Sequence, residues 1–158
     1  MTIFLIWIHL LAAISWIGGM VFLSLVLAPL VRKGSATPEF MALFQSAARR
    51  FRIVAWLAIG VLLATGPILL SERHIDFINP ATWSQIVTLK LGLVALLILL
   101  TLLHDLTLGL RVSEVSAILE SARTRREQSL VRTARWLPRL SLLIALAVIV
   151  VAVMLARS

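Results

Sequence analysis

Four long runs of apolar side chains divide the chain: Ile3–Val31, Ile53–Ser71, Ile86–Thr107 and Leu140–Ala156. Each approaches the roughly 20 residues an α-helix needs to cross about 30 Å of hydrocarbon. A helix also satisfies its own backbone amides and carbonyls, which a bilayer cannot do for it. The pattern predicts an all-α integral membrane fold, one domain over residues 1–158 built as a bundle of four transmembrane helices.

The segments between the runs are less uniform. Thr37-Pro38-Glu39 puts a capping hydroxyl, a first-turn proline and an acid at the start of a helix. Phe40–Arg50 is therefore expected to be helical and to run straight into the second span. Asn79-Pro80 marks a turn, and Trp83 offers an interfacial aromatic ahead of the third span. In the third connection Val112, Val115, Ile118, Leu119 and Ala122 recur at helical spacing, while Glu114, Glu120, Arg123, Arg125 and Arg126 take other faces. That is the pattern of a basic amphipathic helix lying on anionic cytoplasmic lipid, or of a docking surface for a partner.

Composition and charge orient this picture. At 61% hydrophobic and 14% charged residues, the chain excludes a water-soluble core. The net charge of +8 invites a nucleic-acid reading, but its distribution points to the membrane instead. Arg32, Lys33, Arg49, Arg50 and Arg52 surround the first connection, and Arg111, Arg123, Arg125, Arg126, Arg132, Arg135 and Arg139 lie in or beside the third. The positive-inside rule makes those connections cytoplasmic, with both termini and the Glu72–Gln85 loop outside. No basic stretch precedes Ile3 and no small-residue cleavage site follows a short apolar core, so helix one is expected to be retained. The absence of cysteine excludes disulfides and thiolate ligands and leaves any metal chemistry to His, Met or oxygen.

Ionisable groups inside spans are costly and mark either function or paired structure. His9, Lys90 and His104 qualify. With each span's midpoint as the membrane centre, His9 and Lys90 fall about seven residues to the outer side, and His104 about seven to the inner side. Two polar layers roughly 20 Å apart follow, too far for the histidines to share one ion. The outer layer takes Met154 and, from the adjoining loop, Glu72 and His74; Met20 lies toward the inner one. Imidazole with thioether suits a soft cation such as Cu(I), and His with Met is a common axial pair for haem b. The structural alternatives are Lys90 snorkelling to lipid phosphate, His9 bonded to a neighbouring carbonyl or hydroxyl, and Asp105 anchoring a helix end. Asp105 adjoins His104, but neighbours in sequence do not share a helix face.

Small residues mark where helices approach: Ala12, Ala13, Ser15, Gly18 and Gly19 on helix one, and Gly60, Ala64 and Gly66 on helix two. Gly66-Pro67 is expected to bend or loosen helix two and open carbonyls beside the His9 layer. Tight packing alone is the other reading of the same residues.

The string His9-Leu10-Leu11-Ala12-Ala13-Ile14-Ser15-Trp16-Ile17-Gly18-Gly19-Met20, with Ala28-Pro29 after it, resembles the first helix of the copper resistance protein D (CopD) membrane family. Arg49-Arg50-Phe51-Arg52, Thr65-Gly66, Leu89-Lys90-Leu91 and Leu103-His104-Asp105 with Leu108-Gly109 and Arg111 resemble its later signatures in the same order. These cover the three N-terminal spans; the fourth is similar only as a hydrophobic helix. The resemblance implies a multi-pass protein of the bacterial inner membrane with a role in copper uptake or tolerance, His9 and His104 being possible ligands. Met20 and Met154 complete the candidate metal set, with Lys90, Asp105 and Trp16 as supporting polar residues.

A wider similarity, through His9, Trp16, Gly18, Lys90 and His104, is to HemJ-type protoporphyrinogen oxidases. It implies haem b on His9 or His104. Where those enzymes carry an aromatic, arginine-rich segment, this chain has Met20-Val21-Phe22-Leu23-Ser24-Leu25. No catalytic residue is assigned. The partners expected are the lipid bilayer and a membrane or periplasmic protein, with the chain as a copper handler, a haem b redox protein or an accessory subunit of a larger complex; nucleic acid is not among them.

Overall fold

Thr37, Pro38 and Glu39 begin the longest helix as their chemistry dictates. The Thr37 hydroxyl accepts from the Phe40 amide at 3.3 Å, Pro38 fills a first-turn position that needs no donor, and Glu39 lies in the first turn. The helix then runs from Pro38 to Ser71 without interruption. The segment expected over Phe40–Arg50 and the second span are thus one element.

The computed structural model describes residues 2–32, 37–73, 75, 78–108 and 125–157, and no strand occurs among them. In chain order the elements are α1 (Thr2–Val21), a π-helical segment (Phe22–Leu27), α2 (Ala28–Arg32), α3 (Pro38–Ser71), a 3₁₀ turn (Pro80–Thr82), α4 (Gln85–Leu108) and α5 (Arg125–Arg157). Four stretches of these helices are long and apolar enough to cross a membrane: Thr2–Leu30, Pro38–Ser71, Gln85–Asp105 and Trp136–Arg157. They enclose nearly all of the four runs read from the sequence. The amphipathic segment expected around 112–122 and His74 lie outside the described residues.

Two prolines inside the first pair of spans are absorbed differently. Pro29 has no amide to return to Leu25, and its ring crowds that carbonyl. The turn just before it widens to π geometry, with the Ala28 amide bonding the Leu23 carbonyl. Pro67 likewise removes the bond to Leu63, yet α3 continues to Ser71, where the Glu72 amide caps the Ile68 carbonyl. The loosening expected at Gly66-Pro67 amounts to one missing rung within an unbroken helix.

The chain forms two compact units, Met1–Ser84 and Gln85–Ser158. In the first, α1 and α3 pack antiparallel in a register marked by Thr2 with Glu72, His9 with Thr65, and Gly19 with Phe51. Ala12, Trp16 and Ile17 are buried on α1, and Ala55, Ala58, Ile59 and Thr65 on α3. The register sets Trp16 near the level of Ala55 and Ala58, and all three are buried. In the second unit α4 buries Val87, Leu97 and Leu100, and α5 buries Ser141, Ala145, Val151 and Leu155. Large apolar side chains such as Phe4 (68%), Leu57 (66%) and Leu143 (65%) stand exposed. In water such surfaces would drive association; in hydrocarbon they are ordinary lipid contacts.

Of the glycines singled out in sequence, Gly19 is the one that close packing requires. A Cβ there would overlap Cε2, Cδ2 and Cζ of the Phe51 ring, whereas at Gly18 or Gly60 it would meet nothing within 4 Å. Gly19→Ala is expected to lower stability by about 1–3 kcal/mol, the usual range for overpacking. A Phe51→Leu partner substitution should recover part of that loss. Unfolding of the detergent-solubilised single and double variants, compared as a double-mutant cycle, measures both effects.

Candidate functional site

A row of polar groups follows the seam between α1 and α3. At its end the Thr2 hydroxyl donates to the Glu72 carboxylate at 3.1 Å, in an exposed position. Seven residues along each helix, His9 and Thr65 meet on the same faces, about 10 Å further in. His9 is half-buried and Thr65 is buried. His9 Nδ1 lies 2.7 Å from Thr65 Oγ1, and that hydroxyl donates to the Val61 carbonyl, also at 2.7 Å.

With the Thr65 hydrogen on Val61, the tautomer of the ring follows. A threonine hydroxyl has one hydrogen, and the Val61 carbonyl, which can only accept, takes it. Thr65 Oγ1 is then an acceptor toward His9, so Nδ1 carries a proton. In the neutral ring the lone pair is at Nε2. A histidine whose other nitrogen donates to a fixed acceptor is how proteins orient a metal-binding imidazole. Gly66 supports the ring without being essential to its fit, since a Cβ there would lie 3.9 Å from His9 Cε1, an ordinary contact.

Trp16 lies two turns from His9 on the same face of α1 and is 2% exposed. Its indole Nε1 has no hydrogen-bond partner among the described residues. The supporting role expected of Trp16 is therefore not a hydrogen bond to His9. A buried donor left unpaired costs about 1–3 kcal/mol, and packing against α3 must offset it. Met20 shares the His9 face but lies eleven residues away, about 16 Å along the axis. The two cannot belong to one coordination sphere while α1 is helical.

In the second unit Lys90 is half-buried on α4, and His104 lies fourteen residues further along that helix, about 21 Å away. His104 Nδ1 is 3.5 Å from Asp105 Oδ1. The two neighbours converge although their positions on the helix diverge, at a separation longer than a good hydrogen bond. Met154 on α5 is 53% exposed. Among the described residues no group of three or more His, Cys, Asp or Glu is gathered as a metal cage.

Thr65 is the residue that reading the sequence for sites passed over. It was visible only as part of the pair Thr65-Gly66, and hydroxyls in apolar helices usually bond back to their own turn, as Thr101 does to the Leu97 carbonyl at 2.9 Å. Counting both helices from the membrane edge would have set it level with His9.

Comparison with known proteins places the chain as follows. The family model described as copper resistance protein D matches residues 45–155. The match begins within α3 and extends through α5, so it takes in the fourth span as well as the second and third and begins after His9. An uncharacterized protein of Aquifex aeolicus is 29% identical over 106 residues, covering 66% of this chain and 68% of that protein. No solved structure matches.

The tautomer is directly measurable. With the ring neutral, ¹⁵N spectra of histidine-labelled protein are expected to show His9 protonated at Nδ1. In Thr65→Val that preference should vanish and stability fall by about 1 kcal/mol, because a half-buried donor loses its acceptor. Thr65→Ser, which keeps the hydroxyl, should retain both. An Nε2-protonated His9 in the parent protein would show that the hydroxyl points the other way.

Proposed function

The chain belongs to the copper resistance protein D family, and from this premise we propose that it is a multi-pass protein of the bacterial inner membrane that receives copper ions on the outer side, at His9, for passage inward. Family membership supports a copper-related membrane function. The observation behind the finer reading is the bonded series His9, Thr65, Val61, which orients a half-buried imidazole through its Nδ1 inside a membrane span.

Copper is the substrate in this reading. Cu(I) is soft, takes imidazole nitrogen readily and accepts low coordination numbers. Glu72, at the exposed end of the same seam, offers an approaching cation a carboxylate before it reaches the ring. Met20 is too distant along α1 to ligate the ion with His9, and it belongs to a later position. A membrane or periplasmic protein that delivers copper supplies the remaining ligands at the moment of transfer.

The distribution of arginines supports an orientation with both termini outside and the first and third connections in the cytoplasm. A chain without cysteine makes this simple to check. In intact cells Ser84→Cys is expected to react with a membrane-impermeant maleimide, while Ser35→Cys should react only after permeabilisation. The reverse pattern would invert the protein and the direction of copper passage.

Purified protein is expected to bind Cu(I) and to lose most of that binding in His9→Ala. Thr65→Val, which leaves the ligand in place and removes its orienting partner, should weaken binding by about tenfold. Unchanged affinity in His9→Ala would eliminate the site. An axial ligand to haem b would need the same nitrogen, and the absorbance spectrum separates the two readings. The copper reading expects no Soret band in protein purified from haem-replete cells.

A further inference from the structure

α5 begins at Arg125, while the apolar stretch long enough to cross the membrane begins at Trp136. About three helical turns therefore precede the span. At 100° per residue, Arg125, Arg132, Arg135, Trp136 and Arg139 fall within an arc of about 100°. Arg126 and Glu127 fall outside it. The residues that α5 buries, Ser141, Ala145, Val151 and Leu155, lie on the opposite side of the helix. The positions of that arc, Trp136 and Arg139 at the membrane edge among them, thus lie directly away from the packed face.

At that edge the face has a defined centre. The Arg139 guanidinium carbon lies 5.1 Å from the centroid of the Trp136 ring, and Trp136 is 60% exposed. Tryptophan at the first residue of a span sits at the headgroup level. A guanidinium over the face of an indole is attracted to its π electrons and keeps N–H groups for other partners. Such a planar fork matches the oxygens of a phosphate better than an ammonium does.

We propose that this arc of α5 is a docking face for the headgroups of anionic phospholipids, centred on Arg139 and Trp136. Charge complementarity selects an anion, and position selects its source. Arg139 lies one turn inside the apolar boundary, where the phosphates in reach are those of the surrounding lipid. The face is independent of copper and of His9, and it fixes the depth at which the fourth span enters the bilayer.

The test uses the full-length protein in detergent, titrated with phosphatidylglycerol or with phosphatidylcholine of the same acyl chains, bound lipid being counted by native mass spectrometry. Phosphatidylglycerol is expected to be retained preferentially, and Arg139→Gln to reduce that preference by about fivefold, the equivalent of ~1 kcal/mol for one arginine near an anionic surface. Trp136→Leu, which keeps every charge, should reduce it by a smaller factor. Arg157→Gln, at the other end of α5, should leave it intact. Circular dichroism confirms that each variant remains helical. Equal retention of the two lipids by the parent protein would overturn the proposal, as would equal effects of Arg139→Gln and Arg157→Gln. Displacement of the lipid by glycerol phosphate or single-stranded DNA at matching concentration would also overturn it, in favour of a soluble phosphate or nucleic-acid site.

Discussion

Inside hydrocarbon no water completes an unfinished hydrogen bond, and each such bond left open costs several kcal/mol. The rest of this structure is a set of answers to that constraint. It makes the spans helical, since a helix closes its own ladder. It explains why the turn before Pro29 widens instead of breaking, because the Ala28 amide still finds the Leu23 carbonyl. It also accounts for the Thr65 hydroxyl engaging both the Val61 carbonyl and His9 Nδ1. Among the described residues the buried Trp16 indole is the exception.

Much of the architecture was legible in the residues. Run lengths are enough to count spans, and Thr37-Pro38-Glu39 sets the start of α3 because capping is a local matter of three or four residues. His9 could be singled out since an imidazole is conspicuous among leucines and isoleucines. Thr65 could not, because threonine is tolerated in apolar helices for its bond to the preceding turn and carries no signal until a partner stands opposite. The π-helical segment was also hidden. Ala28-Pro29 was plain to see, but whether a helix answers a proline by kinking, ending or widening depends on what packs beside it.

Small residues show the same limit. Gly18 and Gly19 are adjacent and chemically identical, yet only Gly19 lies under the Phe51 ring. Which of two neighbouring glycines faces a partner depends on the rotation of the helix about its axis. Packing sets that rotation through large buried groups such as Trp16 and Ile17. Composition announces that helices approach closely, and only the assembled pair says where.

The Thr65 hydroxyl has a consequence for traffic through this part of the membrane. Its hydrogen rests on an amide carbonyl, which does not take up a proton under ordinary conditions, so the series His9, Thr65, Val61 is a dead end and not a wire. A proton on Nδ1 has nowhere to go along it. In the proposed copper reading, an ion and a proton would take turns at Nε2. In that reading, loading and protonation there exclude one another, a gate with a single latch.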